Sequence, residues 1–343
     1  MITASPHARI TGSDTAGPSA LADWRQLWRD AVTDVGQLLG LLGLEHLHNL
    51  LPEGNAGFAL RVPRGFIARM RHGDPRDPLL LQVLPSVAEL EQTPGFVIDA
   101  VGDMGSRAAQ GVLHKYEGRA LLIASGSCAI NCRYCFRRHF PYGDEMAAAG
   151  QWRHALEHVR QDHSINELIL SGGDPLALTT AKLKELSQGL AEIPHVTRLR
   201  IHTRLPVVLP ERIDDAFQQW LAALPLQKVV VLHANHANEF DASVDAACAR
   251  LREAGATLLN QSVLLRGVND DADALTALSE RLFAAGVLPY YLHQLDRVQG
   301  TAHFEVADTD AQALLDAIRT RLPGYLVPKL VREVGGDASK RPV

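Results

Sequence analysis

The second part of the chain alternates short β-rich runs with helical patterns, and this alternation limits the fold more than any other feature of the sequence. Strands are predicted at Ala120–Ala124, Glu167–Leu170, Arg198–His202, Lys228–Leu232, Leu258–Leu264 and Leu288–Leu292. Helical patterns follow at Trp152–Gln161, Thr180–Ala191, Arg212–Leu224, Ala242–Ala254, Ala272–Ala285 and Asp308–Arg321. Alternating strands and helices predict an α/β fold with a parallel sheet, either doubly wound or a partial barrel. In both folds, ligands bind at the carboxyl ends of the strands.

The remaining segments divide the chain into four predicted regions. Residues 1–20 are rich in Ser, Thr, Gly and Pro and are predicted as a flexible tail. Residues 21–118 are predicted as a mainly helical N-terminal region, because apolar residues recur three and four apart after Trp24. The strand–helix alternation occupies residues 119–325, and residues 326–343 form a C-terminal segment.

Composition narrows the class of protein. The net charge is −5, so the chain lacks the basic surplus that a general nucleic-acid binder needs to meet phosphates. No apolar run reaches the ~20 residues that would span a bilayer, and the N-terminus lacks the apolar core of a secretory signal. Three of the four cysteines are clustered, which favours a reducing cytoplasm over a disulfide framework. The fourth, Cys248, lies in an alanine-rich helical pattern and is predicted as a buried apolar residue.

The clustered cysteines are Cys128, Cys132 and Cys135, directly after the first predicted strand. Three thiolates can hold three irons of a [4Fe–4S] cluster and leave the fourth iron open to a small molecule. The alternative is a zinc site, for which His139 could supply a fourth ligand. The position of the loop after a strand and the lack of a second cysteine pair favour a cluster with an open iron.

Several motifs occur together with the cysteines and in a fixed order. They are Leu113-His-Lys-Tyr116, Cys132-Arg-Tyr-Cys-Phe-Arg-Arg138, Ser171-Gly-Gly-Asp-Pro-Leu176, Asn260-Gln-Ser-Val-Leu-Leu-Arg-Gly-Val-Asn-Asp270 and Pro289-Tyr-Tyr291. With them the chain resembles the radical S-adenosylmethionine family, and within it the lysine 2,3-aminomutases. Segments 136–142 and 324–329 resemble the shorter bacterial members that supply β-lysine for modifying elongation factor P.

The resemblance implies a radical S-adenosylmethionine partial (β/α)6 barrel with a [4Fe–4S] cluster on Cys128, Cys132 and Cys135. S-adenosylmethionine would chelate the open iron, and reduction of the cluster would cleave it to a radical. The residues that the resemblance assigns to S-adenosylmethionine are Gly172, Gly173, Asp174, His233 and Gln261. Without the resemblance, the Gly-Gly segment is equally an ordinary tight turn after a strand.

The resemblance also implies pyridoxal 5′-phosphate as a second cofactor. Such an enzyme needs a lysine that links covalently to the cofactor, and the matching residue is Lys340 in the C-terminal segment. Lys115 and Arg119 match positions that clamp the cofactor phosphate, and Tyr116 between them would pack on the pyridine ring. From the sequence alone, these three residues would be ordinary surface residues ahead of a strand.

Substrate recognition requires opposite charges separated by the length of a lysine. Arg137 matches the arginine that binds the substrate carboxylate, for which its planar fork is suited. Asp296 and Glu333 match the acidic pair that receives the ε-ammonium group. The long lysine aminomutases have Asp at the second position, so the Glu here places the turnover or exact substrate preference in question.

The long aminomutases bind a structural zinc through further cysteines. This chain has no cysteine after Cys248, and Asp271 stands where a zinc-binding cysteine is expected. We therefore predict no zinc, and the zinc-linked assembly of those proteins is not carried over to this chain.

These observations predict a cytoplasmic isomerase that interconverts L-α-lysine and β-lysine and supplies β-lysine for elongation factor P. The implied partners are L-lysine, a reductant such as flavodoxin or ferredoxin, and a functional link to elongation factor P and its lysyl ligase. One alternative is a catabolic or osmolyte-producing aminomutase of lysine or another amino acid. Another is a non-catalytic scaffold that binds elongation factor P, and a zinc-binding interaction module is the weakest.

Overall fold

The computed structural model describes residues 23–52, 56–143 and 152–343, so the tail predicted for residues 1–20 lies outside it. Within these ranges ten strands form one sheet. The strands are β1 (Arg107–Ala109), β2 (Val112–Tyr116), β3 (Arg119–Ser125), β4 (Glu167–Gly172), β5 (Arg198–Thr203), β6 (Gln227–Leu232), β7 (Ala256–Val263), β8 (Leu288–His293), β9 (Lys329–Arg332) and β10 (Arg341–Pro342). Each strand pairs with the next one along the chain, so the sheet is open, with β1 and β10 at its edges.

The centre of the sheet is parallel and its margins are antiparallel. Strands β3 to β9 pair in parallel, whereas β1–β2, β2–β3 and β9–β10 pair antiparallel. Helices connect the parallel strands from β3 to β9, as βαβ units require. The α-helices are α1 (Trp24–Arg29), α2 (Val35–Leu42), α3 (Arg64–Ile67), α4 (Pro78–Leu81), α5 (Arg153–Gln161), α6 (Thr180–Ala191), α7 (Leu205–Val208), α8 (Asp215–Ala223), α9 (Ala242–Glu253), α10 (Ala272–Ala284) and α11 (Asp308–Arg319). The predicted α/β fold is confirmed.

The six predicted strands correspond to β3–β8, with ends that differ by one or two residues. The prediction missed β1, β2, β9 and β10, which are short and lie at the margins of the sheet, where burial on two faces does not force a long aliphatic run. The sheet continues across both predicted region boundaries, because β2 pairs with β3 and β8 pairs with β9. The division at residues 118 and 325 stays a prediction.

The N-terminal region contains shorter helices than its sequence pattern predicts. Helices α1 to α4 have four to eight residues each. Gly43 ends α2 in the left-handed conformation, with φ of 67°. Pro63 precedes α3, and Pro78 is the first residue of α4, so new helices begin there instead of the earlier ones continuing.

The alternation of side chains along a strand decides what faces the interior of the curved sheet. On β5, Leu199 and Ile201 are buried against the helices, whereas Arg198, Arg200 and His202 line a central cavity. Aliphatic side chains therefore pack the sheet against its helical layer, and each fully buried leucine or isoleucine stabilises the fold by roughly 1.5–3 kcal/mol. Polar side chains at every second position give the opposite face its chemistry.

Two residues singled out from the sequence have structural explanations. Cys248 is fully buried on α9, as predicted. Asp271 caps the start of α10, where its carboxylate accepts a hydrogen bond of 2.8 Å from the backbone N–H of Ala274. None of the helices in the described ranges combines the length and apolar character needed to cross a membrane.

Candidate active site

The concave face of the sheet encloses a cavity of about 740 Å³, lined by residues from β2 through to the C-terminal segment. Every predicted site residue lines it. These are Lys115, Tyr116, Arg119, Cys128, Cys132, Cys135, Arg137, Gly172, Gly173, Asp174, His233, Gln261, Asp296, Glu333 and Lys340. The fold thus brings together residues that are up to 225 positions apart, although their individual roles remain predictions.

The three cysteines lie on one wall of the cavity and form no disulfide. Burial raises the pKa of the Cys128 thiol well above its ordinary value, with Asp174 and Cys135 adding to the effect. Burial, together with Cys132, raises the pKa of Cys135 to about 11. Three crowded thiols, of which Cys128 and Cys135 resist ionisation, suit a cationic metal group, since iron would stabilise the thiolates. The donor set fits a [4Fe–4S] cluster with one iron open to a small molecule.

A buried arginine that sequence reasoning missed lies against this cysteine wall. Arg204 follows β5 and donates hydrogen bonds to Cys132 Sγ at 2.6 Å and to Tyr134 Oη at 2.5 Å. Its other terminal nitrogen is held by Glu239 at 3.0 Å and Gln82 at 2.7 Å. The guanidinium is therefore fixed with one donor aimed at a cysteine sulfur. No motif marks Arg204, because its position depends on segments far apart in the sequence.

The glycines after β4 allow two loops to come into contact. A side chain at Gly172 would place Cβ 2.4 Å from the carbonyl oxygen of Ser125, and one at Gly173 would lie 2.7 Å from that of Ser127. Gly172 also has φ of 121°, which other residues rarely adopt. The Gly173 N–H donates to the Ser125 carbonyl at 2.6 Å. The Gly-Gly segment therefore fixes the distance between the β4 end and the cysteine loop.

Asp174 shapes the same loop through its carboxylate. It accepts hydrogen bonds from Thr203 Oγ1 at 2.7 Å and from the backbone N–H groups of Leu176 at 2.9 Å and Arg204 at 2.7 Å. Burial raises its pKa to about 6 despite these donors. Its carboxylate oxygens therefore fix the conformation of the loop that joins β4 to the residues after β5.

His233 and Gln261 form a neutral polar pair where β6 ends and on β7. Gln261 Nε2 lies 3.0 Å from His233 Nε2. Burial, with Arg204 and Arg137 adding to the effect, lowers the pKa of His233 to about 3, so its imidazole is uncharged at neutral pH. The pair offers hydrogen bonds without net charge, which suits the polar, uncharged part of a nucleoside.

A chain of alternating charges crosses the cavity from Arg137 to Lys340. Arg137 Nε donates to Asp103 at 2.7 Å, and Lys115 Nζ lies 2.6 Å from Asp103 and 3.3 Å from Glu333. Lys340 Nζ donates to the other oxygen of Glu333. Burial alone would raise the pKa values of Asp103 and Glu333, but the neighbouring cations outweigh it and hold both below their ordinary values. Sequence reasoning missed Asp103, which belongs to no motif.

Asp296, unlike Asp103 and Glu333, is not paired with a cation in the described ranges. None of the basic side chains in the described ranges forms an ion pair with it, although it lines the same cavity. Burial raises its pKa to about 7, because Lys340 counteracts the burial only in part and Glu333 adds to it. Asp296 is thus a partly buried acid without an ion-pair partner among the described residues, whereas Glu333 already has two.

Arg119 and Lys115 also differ in whether an opposite charge is paired with them. Lys115 is engaged by two carboxylates, whereas Arg119 stacks on the Tyr116 ring at 4.6 Å and pairs with none of the carboxylates described. Arg198 and Arg200 on β5 line the cavity as well. The signal for these two was present in the sequence, where Arg alternates with aliphatic residues along a predicted strand. Arg119 is therefore better placed than Lys115 to meet a phosphate.

Several known proteins are similar to this chain. The Radical SAM superfamily model matches residues 122–278, which include the cysteine loop. A radical SAM methyltransferase from Sphaerobacter thermophilus covers 64% of this chain and 68% of its own, at 18% identity and a TM-score of 0.43. The L-lysine 2,3-aminomutase of Escherichia coli (strain K12) is 51% identical over 94% of both chains, and that of Haemophilus influenzae is 46% identical over 93% of this chain and 94% of its own. The chain belongs to the L-lysine 2,3-aminomutase family.

Proposed function

We propose that this protein is an isomerase that interconverts L-α-lysine and β-lysine by moving the α-amino group to the adjacent carbon. The observation that carries this proposal is the charge pattern of the cavity. Arg137 offers a fixed guanidinium, and Asp296 offers a partly buried carboxylate without an ion-pair partner in the described ranges, in the same cavity as the cysteine wall and Lys340. An amino acid with a second ammonium group supplies the cation that Asp296 lacks. Glutamate, which has a second carboxylate instead, would be repelled there.

Three cofactor groups fit the lining of this cavity. Cys128, Cys132 and Cys135 would hold the [4Fe–4S] cluster. S-adenosylmethionine would lie against Gly172, Gly173, Asp174, His233 and Gln261, and pyridoxal phosphate against Lys340, Tyr116, Arg119 and Lys115. When bound, the cluster and S-adenosylmethionine supply a radical, and pyridoxal phosphate supports migration of the nitrogen.

The residues of the chain itself hold charge and position. Glu333 and Lys115 keep the Lys340 ammonium within a network of fixed charges, so its Nζ is oriented before any cofactor arrives. Arg137 is oriented by Asp103 through Nε and by Ser171 through Nη1 at 2.9 Å, so a further guanidinium nitrogen remains to bind a substrate carboxylate. Asp296 would ionise when it receives the ε-ammonium group. This assigns to Asp296 the larger part in ε-ammonium binding, because Glu333 is already paired twice.

The decisive experiment is turnover. Protein reconstituted anaerobically with iron and sulfide is incubated with L-lysine, S-adenosylmethionine, pyridoxal phosphate and a reductant, and β-lysine is measured by chromatography. We expect β-lysine from the wild type and none from Lys340→Ala, which should also lose the pyridoxal absorbance. Norleucine, which lacks the ε-ammonium group, should not react. Product from another amino acid but not from lysine would reject the substrate assignment, and protein that takes up zinc but no iron would reject the radical mechanism.

We also propose that the β-lysine serves to modify elongation factor P, with flavodoxin or ferredoxin as the reductant. The support is the resemblance of segments 136–142 and 324–329 to the short members of the family that act in this way. A reducing cytoplasm suits the cysteines, all of which are free. Deletion of the gene should remove the lysyl-sized mass addition from elongation factor P, and added β-lysine should restore it. An unchanged mass after deletion would favour a catabolic or osmolyte-producing role.

A further inference from the structure

A second group of metal-ligating side chains lies outside the cavity. His114 is on β2, His158 is on α5, and Asp162 is the residue directly after α5. Their ligand atoms all lie within 4.8 Å of one another. On β2, Leu113 and Lys115 line the cavity and His114 does not, since alternate residues of a strand point to opposite faces. The group therefore lies behind the strand that carries Lys115, between the sheet and α5.

One polar atom of this group lacks a hydrogen bond in the described part of the chain, and a second pair of atoms is too far apart to form one. His158 Nε2 is buried and has no hydrogen-bond partner among the residues that the structure describes. His114 Nδ1 lies 3.7 Å from Asp162 Oδ2, which is too long for a hydrogen bond. The other oxygen of Asp162 already accepts from the Ser164 N–H at 3.0 Å and from Ser164 Oγ at 2.6 Å. Buried polar atoms are normally paired, so an unpaired imidazole nitrogen beside a second imidazole and a carboxylate points to a ligand between them.

Two of the three groups come from α5 and the residue that caps its C-terminal end. His158 and Asp162 are four residues apart, so they lie one above the other on the same side of α5. The third group comes from a strand 44 positions earlier than His158, which is why no local motif marks the set. The expectation of no zinc rested on cysteine ligands near the C-terminus, and it did not consider histidines brought together by the fold.

We propose that His114, His158 and Asp162 form a structural binding site for a divalent transition-metal ion such as Zn²⁺, with water completing the coordination. Two imidazoles and one carboxylate suit zinc and its neighbours, whereas Mg²⁺ and Ca²⁺ prefer oxygen donors alone. Bonds of about 2.0–2.1 Å in a tetrahedron place ligand atoms roughly 3.3 Å apart. The 3.7 Å pair is close to this separation, and small side-chain rotations bring in the third atom.

The proposed metal joins α5 to the back of β2, whose other face carries Lys115. The ion would stabilise this margin of the sheet without taking part in the chemistry of the cavity. The site is independent of the proposed function, because none of its three ligands lines the cavity.

The test is equilibrium dialysis of the anaerobically reconstituted protein against buffered Zn²⁺, with zinc and iron measured in the same sample by mass spectrometry. The iron content, about four per chain, reports that the cluster is intact and the cysteines are not available to zinc. We expect one zinc per chain in the wild type. His114→Ala and His158→Ala should each weaken zinc binding at least tenfold without loss of iron. Their thermal unfolding midpoints should no longer rise with zinc.

His163→Ala is the matched control, because His163 lies next to Asp162 but outside the ligand group, and it should bind zinc as the wild type does. His154→Ala distinguishes a simpler explanation, since His154 is exposed on α5 four residues before His158. If His154→Ala abolishes binding and His114→Ala does not, the zinc is held by the helix surface alone and the proposal is wrong. Zinc retained in both His114→Ala and His158→Ala, with iron unchanged, overturns it equally.

Discussion

Replacing Asp296 by asparagine should stabilise the protein in the absence of lysine while impairing the use of lysine. The folded protein holds the pKa of this carboxyl at about 7, compared with 3.8 for the ordinary side chain. Because the pKa is raised on folding, the folded state favours the protonated acid, and the ionised form destabilises the folded state. The free energy of unfolding of the wild type therefore falls as pH rises from about 4 to 7 and stays reduced above that range.

The size of the effect follows from the pKa difference. At pH 8 the ionised carboxylate costs the folded protein at most roughly 4 kcal/mol, and about 2 kcal/mol if solvent access to the cavity halves the cost. Asparagine has nearly the same shape and no charge. Asp296→Asn should therefore increase the free energy of unfolding by about 2–4 kcal/mol at pH 8 and by only about 1–1.5 kcal/mol at pH 5, where the folded acid is still protonated but the unfolded one is already ionised.

The assay is urea unfolding of the cluster-loaded protein without lysine, at pH 5 and pH 8. Asp308→Asn is a suitable control, because Arg332 holds the pKa of that exposed carboxyl below its usual range. Its substitution should weaken the protein slightly, by no more than about 1 kcal/mol, at both pH values. In turnover assays, Asp296→Asn should raise the KM for lysine at least tenfold, since a charge-assisted hydrogen bond contributes about 1.5–3 kcal/mol. An Asp296→Asn protein that is equally stable or weaker at pH 8 would refute the reasoning.

Three further substitutions test separate parts of the cavity. Arg204→Gln removes the positive charge beside Cys132, so the reduction potential of the reconstituted cluster should fall, by about 60 mV for each tenfold change in the reduction equilibrium. A redox titration followed by electron paramagnetic resonance measures this potential, which should fall less in Arg204→Lys. Gly173→Ala would force Cβ to 2.7 Å from the Ser127 carbonyl, so iron retention should drop and the free energy of unfolding should decrease by about 1–3 kcal/mol. Asp103→Asn removes the carboxylate that pairs with Arg137 and Lys115, so the free energy of unfolding measured in urea should decrease by about 3 kcal/mol.

The sequence predicted the centre of the sheet well, because its strands carry aliphatic residues at least at every second position and the helices between them repeat their apolar residues with the helical period. The margins were not predictable in the same way. Strand β10 has two residues and β1 has three, too few for a period to appear. Their pairing depends on β9 and β2, which are themselves held in place by the rest of the fold.

The residues of the cavity were predicted by resemblance, but their pairing was not. Lys115 and Arg119 look alike in the sequence, and only the structure shows that Lys115 is held between Asp103 and Glu333 while Arg119 faces the cavity. Asp103 and Arg204 have no motif around them. Asp103 contacts Arg137, 34 positions away, and Arg204 contacts Cys132, 72 positions away, and no pattern in a single sequence reports such contacts.

The two acids near Lys340 lead to a final prediction about proton release. Glu333 is ionised at neutral pH because Lys340 and Lys115 offset its burial, whereas Asp296 has a pKa of about 7. At pH 6, about 0.9 of a proton is bound to Asp296 before lysine arrives. An arriving ε-ammonium group, whose own pKa is about 10.4, keeps its proton and favours the ionised acid. Binding of lysine should therefore release nearly one proton from Asp296 at pH 6 and almost none at pH 8.5.

Calorimetry of lysine binding in buffers of different ionisation enthalpy measures this release directly. Other groups also exchange protons when lysine binds to the cofactor-loaded protein, so the relevant quantity is the difference between the wild type and Asp296→Asn. That difference should approach one proton at pH 6 and vanish at pH 8.5, because asparagine has no proton to lose. Equal proton release by the two proteins at pH 6 would show that the ε-ammonium group does not meet Asp296. The ε-ammonium group would then have to bind Glu333 and displace Lys115 or Lys340 from that carboxylate.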